Sequence, residues 1–94
     1  MISVKVRENS IFMYGHANTV KYGRDPVCAA VSALTCNLVN SLEALTDIKI
    51  RAETESGKTE IEWDSTTKES GILIDSWFSG LVAINQEHQC IEFV

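Results

Sequence analysis

Two side chains in this 94-residue sequence have the types and the spacing to do nucleophilic chemistry together: His16, in Gly15-His16-Ala17, and Cys28, in Asp25-Pro26-Val27-Cys28-Ala29-Ala30-Val31-Ser32-Ala33-Leu34. Asp25 suits a helix N-cap, because its carboxylate can accept hydrogen bonds from the free N–H groups of a first turn, and Pro26 suits the first helical position, where no donor is needed. Cys28 then falls at the third helical position. There the free N–H groups and the positive end of the helix dipole favour an anionic sulfur, which is the nucleophilic form. His16 ends an apolar, strand-like run twelve residues before Cys28, so the intervening loop can bring its ring back to the helix start for proton transfer.

Each of these residues also has an ordinary structural role. Cys28 can pack as a small hydrophobe in a helix, and His16 can be a strand-end histidine satisfied by one hydrogen bond. Asp25 serves as N-cap and has acceptor sites left over to orient His16. Ser32 lies one turn after Cys28 on nearly the same face, where it either hydrogen-bonds the thiolate or simply packs. Gly15 either adopts a backbone angle closed to other residues or leaves room for a peptide. His88, Cys36 and Cys90 read as structural. A zinc site drawn from Cys28, His16, His88 and Cys90 matches no recurrent finger spacing, so neither metal nor cofactor is expected.

The pattern G-H-A, a variable loop with the late glycine Gly23, and then D-x-V-C-A-A-V-S-A-L resembles the Prp family of ribosomal-processing cysteine proteases. The likeness extends over residues 1–94 as a single Prp-like cysteine protease domain. It implies a cytoplasmic, homodimeric endopeptidase that removes the N-terminal extension of the twenty-seventh protein of the bacterial large ribosomal subunit and so supports ribosome assembly. His16 and Cys28 match the family's catalytic pair, while Gly15, Asp25 and Ser32 match the residues around it. Pro26 occupies a variable position. In this reading His16 pairs with Cys28, the thiolate attacks the scissile carbonyl, and the Cys28 N–H and its neighbours are candidate oxyanion donors. Two alternatives remain open: a noncatalytic peptide-binding factor in ribosome assembly, and a processing protease for phage structural proteins.

The elements that must position the pair follow from periodicity. Ile2, Val4 and Val6 alternate with Ser3, Lys5 and Arg7 as in a half-buried strand, and Ile11 to His16 is apolar on both faces, which predicts a central strand. Residues 18–24 form a polar loop, expected to act as a flap over the pair. A helix is expected from about Pro26 to Leu45, with Val27, Val31, Leu34, Leu38, Leu42 and Leu45 as its buried stripe. Two strands then meet at Ser56-Gly57, in a register that sets Arg51 opposite Glu62 and Lys49 opposite Asp64. A second helix from about Thr67 to Glu87 carries more apolar surface than one stripe needs, with Trp77 or Phe78 as anchors of a dimer contact, and Cys90 to Val94 closes the chain as a strand. The predicted fold is α+β, β-β-α-β-β-α-β, with two helices packed on a mostly antiparallel sheet of about five strands.

Composition narrows the function classes. Eight Lys and Arg against thirteen Asp and Glu give a formal charge of −5, and the scattered basic residues do not make a phosphate-binding surface, so no direct nucleic-acid partner is expected. An acidic enzyme still suits a basic peptide. Three cysteines cannot all pair within one chain, and reduced thiols in a cytoplasmic protein are the simplest reading. The start of the chain lacks a signal-peptide core, and no run is expected to reach the length of a membrane span.

Overall fold

The computed structural model describes residues 1–21 and 23–94. The order is β1 (Ile2–Val6), β2 (Ser10–Gly15), α1 (Pro26–Leu45), β3 (Ile50–Glu55), β4 (Lys58–Trp63), α2 (Lys68–His88) and β5 (Ile91–Phe93). The five strands form one sheet in the order β3-β4-β2-β1-β5, antiparallel except for the β1–β5 pair. This is the expected α+β fold, with β2 at its centre.

One face of the sheet carries the core. Ile2 and Val4 of β1, Ile11 and Met13 of β2, Ile61 and Trp63 of β4 and Ile91 of β5 meet Val27, Val31, Leu38 and Leu42 of α1 and Ile74, Trp77 and Leu81 of α2. Leu42 and Leu81 are fully buried, and burial of each such side chain is worth about 1.5–3 kcal/mol. The opposite face is open. There Phe12 and Tyr14 pack 5.3 Å apart, and the Lys58 ammonium stands 5.9 Å over the Phe12 ring.

The hairpin register agrees with the charge pattern, since Arg51 pairs with Glu62 and the Lys49 N–H donates to Asp64 Oδ1 at 3.1 Å. α2 starts from a capping box in which Thr67 Oγ1 accepts from the Ser70 N–H and Ser70 Oγ accepts from the Thr67 N–H. At its other end Asn85 Oδ1 accepts from the Ile91 N–H at 2.8 Å and turns the chain into β5.

Several expectations are corrected. Val6 is exposed, whereas Ser3 is buried, with its hydroxyl donating to Glu92 Oε1 at 2.7 Å. Leu45, in the last turn of α1, is 67% exposed, and Leu34 is only half-buried while its neighbour Thr35 lies in the buried stripe. Trp77 does not anchor a surface contact: its ring is in the core and its Nε1–H donates to Thr35 Oγ1 at 3.1 Å. Phe78 remains at the surface, stacked 4.8 Å from Phe93. By length and composition α1, with 20 residues and a mean hydropathy of 1.3 over its most apolar window, is long and apolar enough to cross a membrane, contrary to the expectation for every run. Its alanines and cysteines raise that average, while its large apolar side chains Val27, Val31, Leu38 and Leu42 are spent on the core.

Candidate active site

Asp25 shapes the start of α1. With an extended backbone at φ −81° and ψ 117°, it directs Oδ1 at the N–H groups of Val27 (2.9 Å) and Cys28 (3.3 Å), and Pro26 follows as the first helical residue. The same carboxylate accepts from the Thr19 N–H at 2.6 Å and the Thr19 hydroxyl at 2.5 Å, tying the loop after His16 to the helix start. The Thr19 hydroxyl foremost, joined by the N–H groups of Thr19, Val27 and Cys28 and opposed by desolvation, lowers the Asp25 carboxyl to about 2. Among the described residues its hydrogen-bond partners are thus Thr19, Val27 and Cys28.

The cap has a chemical consequence. The Val27 and Cys28 N–H groups were expected to be free for an oxyanion, but both already point at Asp25 Oδ1. The cap and the oxyanion compete for the same donors, and the cap holds them. A different donor lies at the sulfur. The N–H of the buried Ala17 points at Cys28 Sγ from 3.3 Å.

On the other side, β2 ends at Gly15 with φ +101°, where any Cβ would overlap the Met1 carbonyl oxygen. Only glycine suits that combination of angle and space. The Gly15 N–H donates to Gly57 O at 2.9 Å, and the Met1 nitrogen donates to His16 O at 2.7 Å, so the strand end is clamped between β1 and the β3–β4 turn. His16 is exposed, with its ring resting on Gly57.

These pieces line an open cavity of about 440 Å³. Gly15, His16, Cys28 and Ser32 all contribute to its wall, and so, from the hairpin, do Glu55, Gly57 and Lys58. The structure therefore brings together four of the five residues singled out from the sequence and sets Asp25 behind them as the brace. The hairpin's part in the wall was not foreseen. A glycine in a tight turn was visible, but nothing local could tell that the turn closes on His16.

Of the loop expected to be a flap, Asn18, Thr19, Val20, Lys21, Gly23 and Arg24 are exposed, while Tyr22 lies outside the described residues. Burial, with the Asp25 charge adding to it, pushes the Cys90 thiol up, away from the thiolate form. Among the described residues no three His, Cys, Asp or Glu side chains cluster as a metal donor set.

The chain is 25% identical to the essential ribosomal processing protease Prp of S. aureus, solved in complex with a covalently linked product peptide; the match has a TM-score of 0.83 and covers 98% of this chain and 94% of that one. A protein from Streptococcus mutans is 27% identical, with a TM-score of 0.74 and coverage of 98% and 89%. The S. aureus protease in complex with a substrate peptide shares the fold at 24% identity and a TM-score of 0.81, covering 99% of this chain and 95% of that one. No curated protein matches significantly. The model of the cysteine protease Prp family matches residues 1–91, which takes in both helices and the whole cavity wall, and the chain belongs to that family of cysteine proteases.

Proposed function

We propose that this protease removes the N-terminal extension of the twenty-seventh protein of the bacterial large ribosomal subunit, with Cys28 as nucleophile and His16 as the proton-transfer group. The observation that carries the reading is the shared cavity: His16 from the end of β2 and Cys28 from the first turn of α1 line one space, large enough for a peptide segment and open to solvent. In the sequence of steps, His16 takes the thiol proton and the sulfur bonds to the scissile carbonyl carbon. The Ala17 N–H, which points at Cys28 Sγ from 3.3 Å, is the candidate donor for the resulting oxyanion. Collapse breaks the C–N bond, His16 gives its proton to the leaving amine, and water hydrolyses the thioester to free the thiol.

Support for a ribosomal substrate comes from the S. aureus neighbour, a ribosomal processing protease solved with a covalently linked product peptide. The formal charge of −5 suits a basic peptide partner. Action in the cytoplasm as a homodimer belongs to the same reading, with Phe78 and Phe93 as an apolar patch for the second copy.

The test is mass spectrometry of a peptide spanning that extension and the first residues of the mature ribosomal protein, after incubation with the wild type and with Cys28→Ala. A single cut made by the wild type alone supports the assignment and gives the cleavage site. Equal cleavage by Cys28→Ala rejects Cys28 as the nucleophile. Binding without cleavage by either protein supports a peptide-binding assembly factor instead.

A further inference from the structure

The nucleophile and the donor that faces it belong to different parts of the fold. Cys28 rides on α1, whereas the Ala17 N–H that points at its Sγ from 3.3 Å lies just past the end of β2. On the sheet side the donor's peptide unit is held. His16 O accepts from the Met1 nitrogen at 2.7 Å and from Asn18 Nδ2 at 3.3 Å. A trans peptide sends its N–H the opposite way from its carbonyl oxygen, so a grip on His16 O also directs the Ala17 N–H. Burial of the Ala17 methyl adds a hold of its own, but apolar contact is nondirectional. None of these holds ties the donor to α1.

Thr19 makes that tie. Asn18 before it takes the left-handed conformation, at φ 56°, which asparagine tolerates better than most residues. The Thr19 N–H then donates to Asp25 Oδ2 at 2.6 Å and the Thr19 hydroxyl to Asp25 Oδ1 at 2.5 Å. Oδ1 also accepts from the Val27 and Cys28 N–H groups. One carboxylate thus connects Thr19 to the backbone of the nucleophile, and the donor lies two residues before Thr19. Bonds to an ionised acceptor are the stronger kind, and the Asp25 carboxyl, held near 2 with the Thr19 hydroxyl as first cause, stays ionised across the neutral range.

We propose that Thr19 is a positioning residue for the nucleophile: by binding Asp25 through its hydroxyl and its N–H, it holds the Ala17 N–H against the Cys28 sulfur and so favours the thiolate. The inference rests on the reading of Cys28 as the nucleophile. An N–H bond to an ionised acceptor favours the anion by about ten- to a hundredfold. A more basic thiolate is also the better nucleophile, so about half of that change, on a logarithmic scale, reaches the rate.

The experiment compares the wild type with Thr19→Val, which removes the hydroxyl, and with Thr19→Ser, which keeps it. Thr19 is exposed, so neither change removes core packing, and Thr19→Ala serves as a second variant without the hydroxyl. Iodoacetamide alkylation at pH 7 is followed at Cys28 and Cys36 separately by mass spectrometry of proteolytic peptides, the exposed Cys36 being the internal reference. Thr19→Val and Thr19→Ala should slow Cys28 by about three- to tenfold and leave Cys36 unchanged. With the ribosomal-protein extension peptide as substrate, kcat should fall by a similar factor while KM changes by less than about twofold. Thr19→Ser should restore both rates. Thr67→Ala, which removes the side-chain cap of α2, supplies the control for lost stability alone.

An unchanged ratio of Cys28 to Cys36 alkylation in folded Thr19→Val overturns the proposal. So does a Thr19→Ser protein as slow as Thr19→Val, or an equal fall in Thr67→Ala. Cleavage that survives Cys28→Ala removes Cys28 as the nucleophile, and the role of Thr19 in catalysis with it. A wild type that leaves the peptide uncut removes the substrate reading only, and the alkylation ratio then decides for or against Thr19.

Discussion

The imidazole of His16 rests against Gly57, so closely that a Cβ on residue 57 would stand 2.7 Å from Nε2 and 3.1 Å from Cε1. The two residues belong to different hairpins, joined by the Gly15 N–H bond to Gly57 O. The turn between β3 and β4 therefore acts as a stop for the ring. Where the imidazole sits relative to the sulfur depends on a residue that has no side chain to contribute.

Gly57→Ala should push the ring away from its resting place. A misplacement of about 1 Å costs on the order of 100-fold in rate, so kcat should fall by about 10- to 100-fold with KM changed little. Because Gly57 has φ +75°, the substitution also strains the backbone, by about 1 kcal/mol or more. Peptide cleavage kinetics and urea denaturation separate the two effects. Unchanged kcat in a folded Gly57→Ala protein would show that the ring finds an equivalent position.

Asp25 predicts a pH dependence of stability. Its carboxyl titrates near 2 when folded, below the ordinary 3.8, so the folded state binds the proton more weakly than the unfolded one. The stability it supplies is therefore complete above about pH 4 and is lost as the pH falls toward about 2. Asp25→Asn keeps an N-cap acceptor but does not titrate. Its melting temperature should lie below that of the wild type at neutral pH, and the gap should close between about pH 4 and pH 2. A gap that persists at pH 2 would assign the loss to cap geometry and not to charge.

Gly15→Ala tests the clamp at the end of β2. The new Cβ would meet the Met1 carbonyl at a backbone angle, φ +101°, that alanine rarely adopts. A cost of about 1–3 kcal/mol is expected. Since His16 is the next residue, cleavage should fall along with the urea midpoint. Full activity would mean that β1 can shift without moving the imidazole.

How far the sequence disclosed all this depended on whether the signal was local. The Asp25-Pro26 start of α1, the Arg51–Glu62 register and the central place of β2 were legible because capping chemistry, alternation and turn residues act over a few positions. Val6 and Leu45 misled because periodicity tells which face a side chain takes but not where the neighbouring layer ends. The hold of Thr19 on Asp25 and the contact of Gly57 with His16 join loops whose mutual approach is set by the whole sheet, and neither residue type announces such a partner. Ala17 could not be found from residue type at all, because its contribution to the site is a backbone N–H that every residue but proline possesses.

Thr35 shows how a polar residue earns a place in the apolar stripe of α1. Its hydroxyl donates to Val31 O at 2.8 Å and accepts from Trp77 Nε1 at 3.1 Å, linking the two helices inside the core. Thr35→Val keeps the shape but leaves the indole N–H without an acceptor, and an unsatisfied buried donor costs about 1–3 kcal/mol. Thr35→Ser keeps the hydroxyl and loses one methyl, which should cost about 1 kcal/mol. Urea denaturation should thus rank wild type above Ser and Ser above Val, even though valine is the more hydrophobic. If Val equals or exceeds the wild type, the threonine is held there for its volume, and the Trp77 hydrogen bond adds nothing to the joining of α1 and α2.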